Sequence, residues 1–157
     1  MSDGPHDGAS GPVAGWGAAA DALTPPVLAY VGDAVFGLLV RTLVLERCLA
    51  GQGGCPGLGE LHRQVAPLVS AEGQARLLLA LWPALAPHEQ EVVRRARNAK
   101  TRHRPRRADY LAYRRSTALE ALVGYLYLKG QTDRLIDLLE WGLAQHQHET
   151  PGPDATT

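Results

Sequence analysis

One carboxylate, Asp33, sits inside an apolar run: Leu28-Ala29-Tyr30-Val31-Gly32-Asp33-Ala34-Val35-Phe36. Just before it, Thr24-Pro25-Pro26 reads as a helix start, with a Thr cap and proline in the first turn, where its missing N–H costs nothing. Val27, Val31, Ala34, Val35, Leu38, Thr42 and Leu45 recur at helical spacing and predict a mostly buried helix from about Pro25 to Ala50. On that helix Asp33 points away from Val31 and Val35, beside Tyr30 and Gly37. A charge buried without a partner is strongly destabilising, so such an aspartate needs an arginine, a helix N-terminus or a metal ion. An ordinary ion pair meets that need as well as a functional site does.

A second stretch repeats the pattern. Arg114-Arg115-Ser116-Thr117-Ala118-Leu119-Glu120-Ala121-Leu122-Val123-Gly124 continues through Tyr125-Leu126-Tyr127-Leu128 as a helix with one acid in its apolar part, Glu120. Ser116 and Gly124 lie four residues to either side of Glu120, on its face, and Gly32 precedes Asp33. Small residues at these positions let two helices cross closely with their carboxylates converging. Two convergent oxygen ligands, with water and phosphate completing the shell, suit Mg²⁺ at sites that cut or transfer phosphates.

The net charge is zero, yet of 16 Lys and Arg residues ten lie between Arg94 and Arg115, against one acid, Asp109. A neutral total thus hides a basic segment of the kind that binds phosphates, and a solvated basic loop is its bland alternative. Cys48 and Cys55 fit no close-paired metal spacing and are expected as free thiols. His6, His62, His88, His103, His146 and His148 form no ligand pattern, and Ser116 and Thr117 have no evident histidine partner. Gly51–Gly54 lacks the Lys-Ser/Thr of a phosphate loop. No apolar run approaches the ~20 residues of a membrane span, and no secretory or transit pattern opens the chain. The expected compartment is the cytoplasm, with no membrane partner.

Taken in order, residues 1–22 read as a disordered arm, 23–144 as one domain and 145–157 as a disordered tail. A helix with the stripe Leu58, Leu61, Val65 and Leu68 follows the glycine-rich break. Another, capped by Ser70, turns Ala75, Leu78, Leu79 and Trp82 inward. A third starts near Pro87 and buries Val92, Val93 and Ala96. Its acids Glu89 and Glu91 lie early and Arg94, Arg95 and Arg97 late, as the helix dipole favours. Thr101–Arg107 has no apolar residue and is expected as an exposed loop. Asp109 is a candidate cap for the helix that carries Glu120, which runs to Lys129-Gly130. A last helix from Thr132 or Asp133 packs through Leu135, Ile136, Leu138, Leu139 and Trp141. No alternating pattern predicts a strand, so the fold class is all-α.

Gly32-Asp33-Ala34-Val35 and Leu119-Glu120-Ala121-Leu122-Val123-Gly124 resemble the two metal-binding motifs of the ribonuclease III catalytic domain. Arg94-Arg95-Ala96-Arg97-Asn98-Ala99-Lys100 and Tyr113-Arg114-Arg115-Ser116-Thr117 resemble the short Mini-III branch, which lacks a separate double-stranded-RNA-binding domain. The resemblance spans about Pro26 to Trp141. It implies a single ribonuclease III-type endonuclease domain that cleaves double-stranded RNA as a homodimer, leaving 5′-phosphate and 3′-hydroxyl ends. It further implies that Asp33 and Glu120 coordinate Mg²⁺ and act as the catalytic pair, with precursor 23S ribosomal RNA as target. Arg94, Arg95, Arg97, Asn98, Lys100, Arg102, Arg104, Arg106 and Arg107 are then the candidates for RNA-backbone contact, with an affinity that falls steeply with salt. Tyr30 and Phe36 are candidates for the dimer contact, with ordinary core packing as the equal alternative.

The chain departs from the full-length pattern at two carboxylates, where it has Ala29 and Thr117, and Ala96 replaces the glycine of an Arg-Gly-Arg-Asn motif. A second metal in each site is therefore not expected. Three other readings stay open: a non-catalytic RNA-binding or ribosome-associated protein on the same fold, a helical protein-interaction module, and a helix-turn-helix DNA binder. Two retained acids count against the first, and the proline-broken basic stretch counts against the last.

Overall fold

The structure, a computed structural model, describes residues 16–51, 54–100 and 107–148. Among these the elements are α1 (Gly17–Ala22), α2 (Pro25–Ala50), α3 (Leu58–Val69), α4 (Ala71–Leu81), a 3₁₀ turn at Trp82–Ala84, α5 (Pro87–Asn98), α6 (Arg107–Leu128) and α7 (Thr132–His148), with no strand. The all-α expectation holds.

Helix α6 is the post around which the rest is built. Ala118, Leu119, Ala121, Leu122, Val123 and Leu126 are all buried, so the helix is apolar on every side and needs neighbours all round. Helices α1, α2, α4, α5 and α7 supply them. It ends at Gly130, whose φ of 72° suits glycine. There the Gly130 amide donates to the Tyr127 carbonyl and the Gln131 amide to that of Leu126, closing the helix in a Schellman turn.

Helix α2 lies along α6, but with a different face from the one its periodicity predicts. Leu28, Ala29, Gly32, Val35, Phe36, Val40, Leu43 and Val44 are buried, whereas Val27, Ala34, Leu38 and Thr42 are exposed. The helix is apolar on two faces, so spacing alone does not choose between them; the close approach at Gly32 does. Phe36 is therefore core and no dimer contact, while Tyr30 is 83% exposed. By length and composition α2 is also apolar enough to cross a membrane, contrary to the reading of the sequence, but here its apolar length serves as a core helix.

Other departures are local. Gly17–Ala22, assigned to the disordered arm, is helical, with Ala20 buried. Asp21 anchors it on α6, accepting from the Tyr125 hydroxyl at 3.1 Å and from Lys129 Nζ at 2.8 Å. Residues 1–15 lie outside the described residues. Helix α7 runs to His148, past the expected tail boundary, and residues 149–157 lie outside the described residues. Leu58, Leu79 and Trp141 are exposed, since the buried positions of α4 and α7 are instead Leu77, Leu78, Leu81, Leu135, Leu138, Leu139 and Leu143. Ser70 caps α4 as expected, its Oγ accepting from the Gly73 amide at 3.0 Å. Helix α6 begins two residues before Asp109, which thus lies in its first turn and is not its cap. Glu89 does more than face a dipole. Buried at the start of α5, it accepts from the Ala86 amide at 2.7 Å and from both Nε and Nη2 of Arg134 at 2.9 Å, tying α5 to α7.

Candidate active site

The site is made by a reciprocal glycine crossing. A Cβ built on Gly32 would overlap the Glu120 carbonyl and lie 2.8 Å from the Gly124 nitrogen. One on Gly124 would overlap the Leu28 carbonyl and lie 3.0 Å from the Gly32 nitrogen. Helices α2 and α6 therefore meet backbone to backbone, and Asp33 and Glu120 are carried to a common cleft of about 780 Å³. Gln74, Lys100, Ser116 and Thr117 also line it.

The two acids differ in setting. Asp33 is exposed, so burial does not compel it to find a partner; the half-buried Glu120 is the acid that needs one. Burial, reinforced by the negative charge of Asp33, raises the Glu120 pKa from the usual 4.5 to about 7, and the Gln74 side chain offsets part of this. Because the folded-state value is the higher one, the folded chain holds a proton between these limits that the unfolded chain has released. Stability from this group is present at low pH and is lost as pH rises through about 7. In cation-free buffer, thermal melts are expected to show wild type losing stability relative to Glu120→Gln between about pH 5 and pH 8. Equal pH slopes for the two proteins would remove the electrostatic coupling.

These residues fit a hard divalent cation. The donors are all oxygen, the two carboxylates repel until a positive charge joins them, and Gln74 Oε1 is a buried oxygen with no hydrogen-bond partner among the described residues. Among the described residues no group of three or more His, Cys, Asp or Glu is placed to hold a metal, consistent with a thinned acid set. Ala29 and Thr117, which replace the family's other two carboxylates, line the same cleft. The Ser116 hydroxyl is committed to the Tyr113 carbonyl at 2.9 Å, which argues against a nucleophilic serine.

The described basic candidates up to Lys100 border three depressions. Lys100 borders the acids. Arg94, Arg95 and Asn98 border a neighbouring depression with Pro25 and Glu91, and Arg97 lies by Trp82 and Arg115. All five are exposed; Arg94 also stacks over the Trp82 ring, 5.5 Å from its centre. Arg102, Arg104 and Arg106 lie outside the described residues, and Arg107 opens α6. Sequence reasoning missed Gln74. Its signal was a polar residue three, four and seven places before Leu77, Leu78 and Leu81, on the apolar stripe of α4.

Residues 26–131 match the family model described as Ribonuclease III domain. The chain belongs to the ribonuclease III family and is an endoribonuclease, a hydrolase of RNA. Among its relatives, Mini-ribonuclease 3 of Symbiobacterium thermophilum is 48% identical over 118 residues, 75% of this chain and 86% of that protein. Mini-ribonuclease 3 of Brevibacillus brevis is 39% identical over 120 residues, 76% of this chain and 85% of that one. A crystal structure of a Fusobacterium nucleatum protein has the same fold, with a TM-score of 0.64 at 25% identity over 75% of this chain and 91% of that one.

Proposed function

We propose that this protein cleaves double-stranded RNA in a Mg²⁺-dependent reaction, as a homodimer in the cytoplasm, leaving 5′-phosphate and 3′-hydroxyl ends. The observation that carries the reading is the convergence of Asp33 and Glu120 on one cleft with Lys100 at its border. Asp33 and Glu120 would hold the cation, which when bound shields the phosphate, activates water and stabilises the departing oxygen. Lys100, Asn98 and the arginines of α5 supply positive charge for the RNA backbone, a mode of binding that follows A-form shape rather than base edges. A second copy is supported by the outward face of α2, where Val27, Tyr30 and Leu38 are exposed beside Asp33. The likeness to Mini-ribonuclease 3 proteins supports precursor 23S ribosomal RNA as the target.

The test is incubation with a long RNA duplex in Mg²⁺. Shortened duplexes bearing 5′-phosphates are expected, with no products in EDTA and single strands left intact. Tight duplex binding without any cut would replace this reading with that of a non-catalytic RNA-binding protein.

A further inference from the structure

Gln74 is 3% exposed, and its Oε1 is shielded from solvent with no hydrogen-bond partner among the described residues. Its Nε2 donates to the Val69 carbonyl at 3.2 Å, and this bond favours the orientation that leaves Oε1 unpaired. The free oxygen belongs to a side chain that lines the cleft of Asp33 and Glu120. The fold uses one end of this amide, the Nε2 bond to the Val69 carbonyl, and leaves Oε1 unemployed. Gly73, Ala75, Leu77 and Leu78 surround the position in sequence and are buried, and a leucine or methionine would continue the stripe. A buried acceptor left unmet is costly and calls for a partner, a water or an ion.

We propose that Gln74 is the third member of the cation site, its Oε1 accepting a hydrogen bond from a water of the hydrated ion that Asp33 and Glu120 hold. The inference rests on the metal-dependent reading above. It places an uncharged oxygen in a cleft where two family carboxylates are replaced by Ala29 and Thr117. Mg²⁺ keeps several of its waters, so an acceptor for one of them orients the ion without adding charge. Such outer partners typically change metal affinity 10- to 100-fold.

The test is titration of the full chain with Mn²⁺, without RNA, followed by calorimetry or by the loss of free-ion EPR signal. Gln74→Met is expected to weaken binding about tenfold or more, in protein that still folds despite losing the bond to the Val69 carbonyl. Unchanged affinity with a lowered cation-free melting temperature means that Gln74 is structural, and overturns the proposal. Gln74→Glu keeps an oxygen at the position and adds charge. It is expected to bind Mn²⁺ more tightly, and if Gln74→Met does not fold, wild-type affinity in Gln74→Glu overturns the proposal. Asp33→Asn separates the two levels. If Asp33→Asn binds Mn²⁺ as wild type does, the acid site itself fails and this inference with it. If Asp33→Asn loses binding and Gln74→Met keeps it, only the role of Gln74 falls.

Discussion

Asp33→Asn is expected to slow Mg²⁺-dependent cleavage of duplex RNA on the order of 10³-fold, because the several kcal/mol that a positioned cation contributes to charge stabilisation depend on its ligands. The substitution keeps the shape of the side chain and falls at an exposed position. It also removes the neighbouring charge that helps raise the Glu120 pKa. The folded protein is therefore expected to melt at or slightly above the wild-type temperature, and duplex binding in Ca²⁺, measured by gel shift, is expected to stay within about threefold, since the proposed phosphate contacts come from the basic residues. Cleavage at the wild-type rate by the variant would end the nuclease role of this acid. A lowered melting temperature would show that the aspartate serves the fold.

Gly32→Ala is expected to destabilise the protein by about 3 kcal/mol or more, at the upper end of overpacking costs. The atoms its Cβ would strike are the Glu120 carbonyl and the Gly124 nitrogen, which are backbone and have no rotamer to escape into. Relief requires α2 and α6 to part, and that moves both acids and opens the core. Gly37→Ala is the matched control on the same helix. There the added carbon meets only the Arg41 guanidinium, the far end of a flexible side chain, so the change is expected to be neutral or to gain up to about 1 kcal/mol from helix propensity. Urea midpoints of the two variants decide it. Similar midpoints would show that the crossing at Gly32 is not close in solution.

The two acids and their glycines were legible because the chemistry is written in residue types: a charge in an apolar helix, with a small residue at contact spacing. Helix ends at Ser70, Pro87 and Gly130 were legible for the same reason, as caps and breaks are local. The inward face of α2 was not, because a helix apolar on two sides carries no clean period, and which side turns in depends on a partner distant in sequence. Asp33 reads as buried only because its helix is apolar; it is exposed, and it lines one cleft with Glu120. The bond of Glu89 to Arg134 was hidden likewise, since a glutamate in a first turn already has a local explanation. Gln74 was visible as an oddity on its stripe, but only the unpaired oxygen of a side chain lining the cleft of the two carboxylates gives that oddity a chemical meaning.

The post-like burial of α6 has a consequence for how the protein loses activity. Glu120 stands on the helix that α1, α2, α4, α5 and α7 all touch, and fraying from either end cannot displace it early. Local opening draws on elements with few partners, such as α1, whereas the middle of α6 is released only when everything lets go. Heat or denaturant should therefore abolish catalysis and tertiary order in a single cooperative step, with no intact but inert intermediate in between.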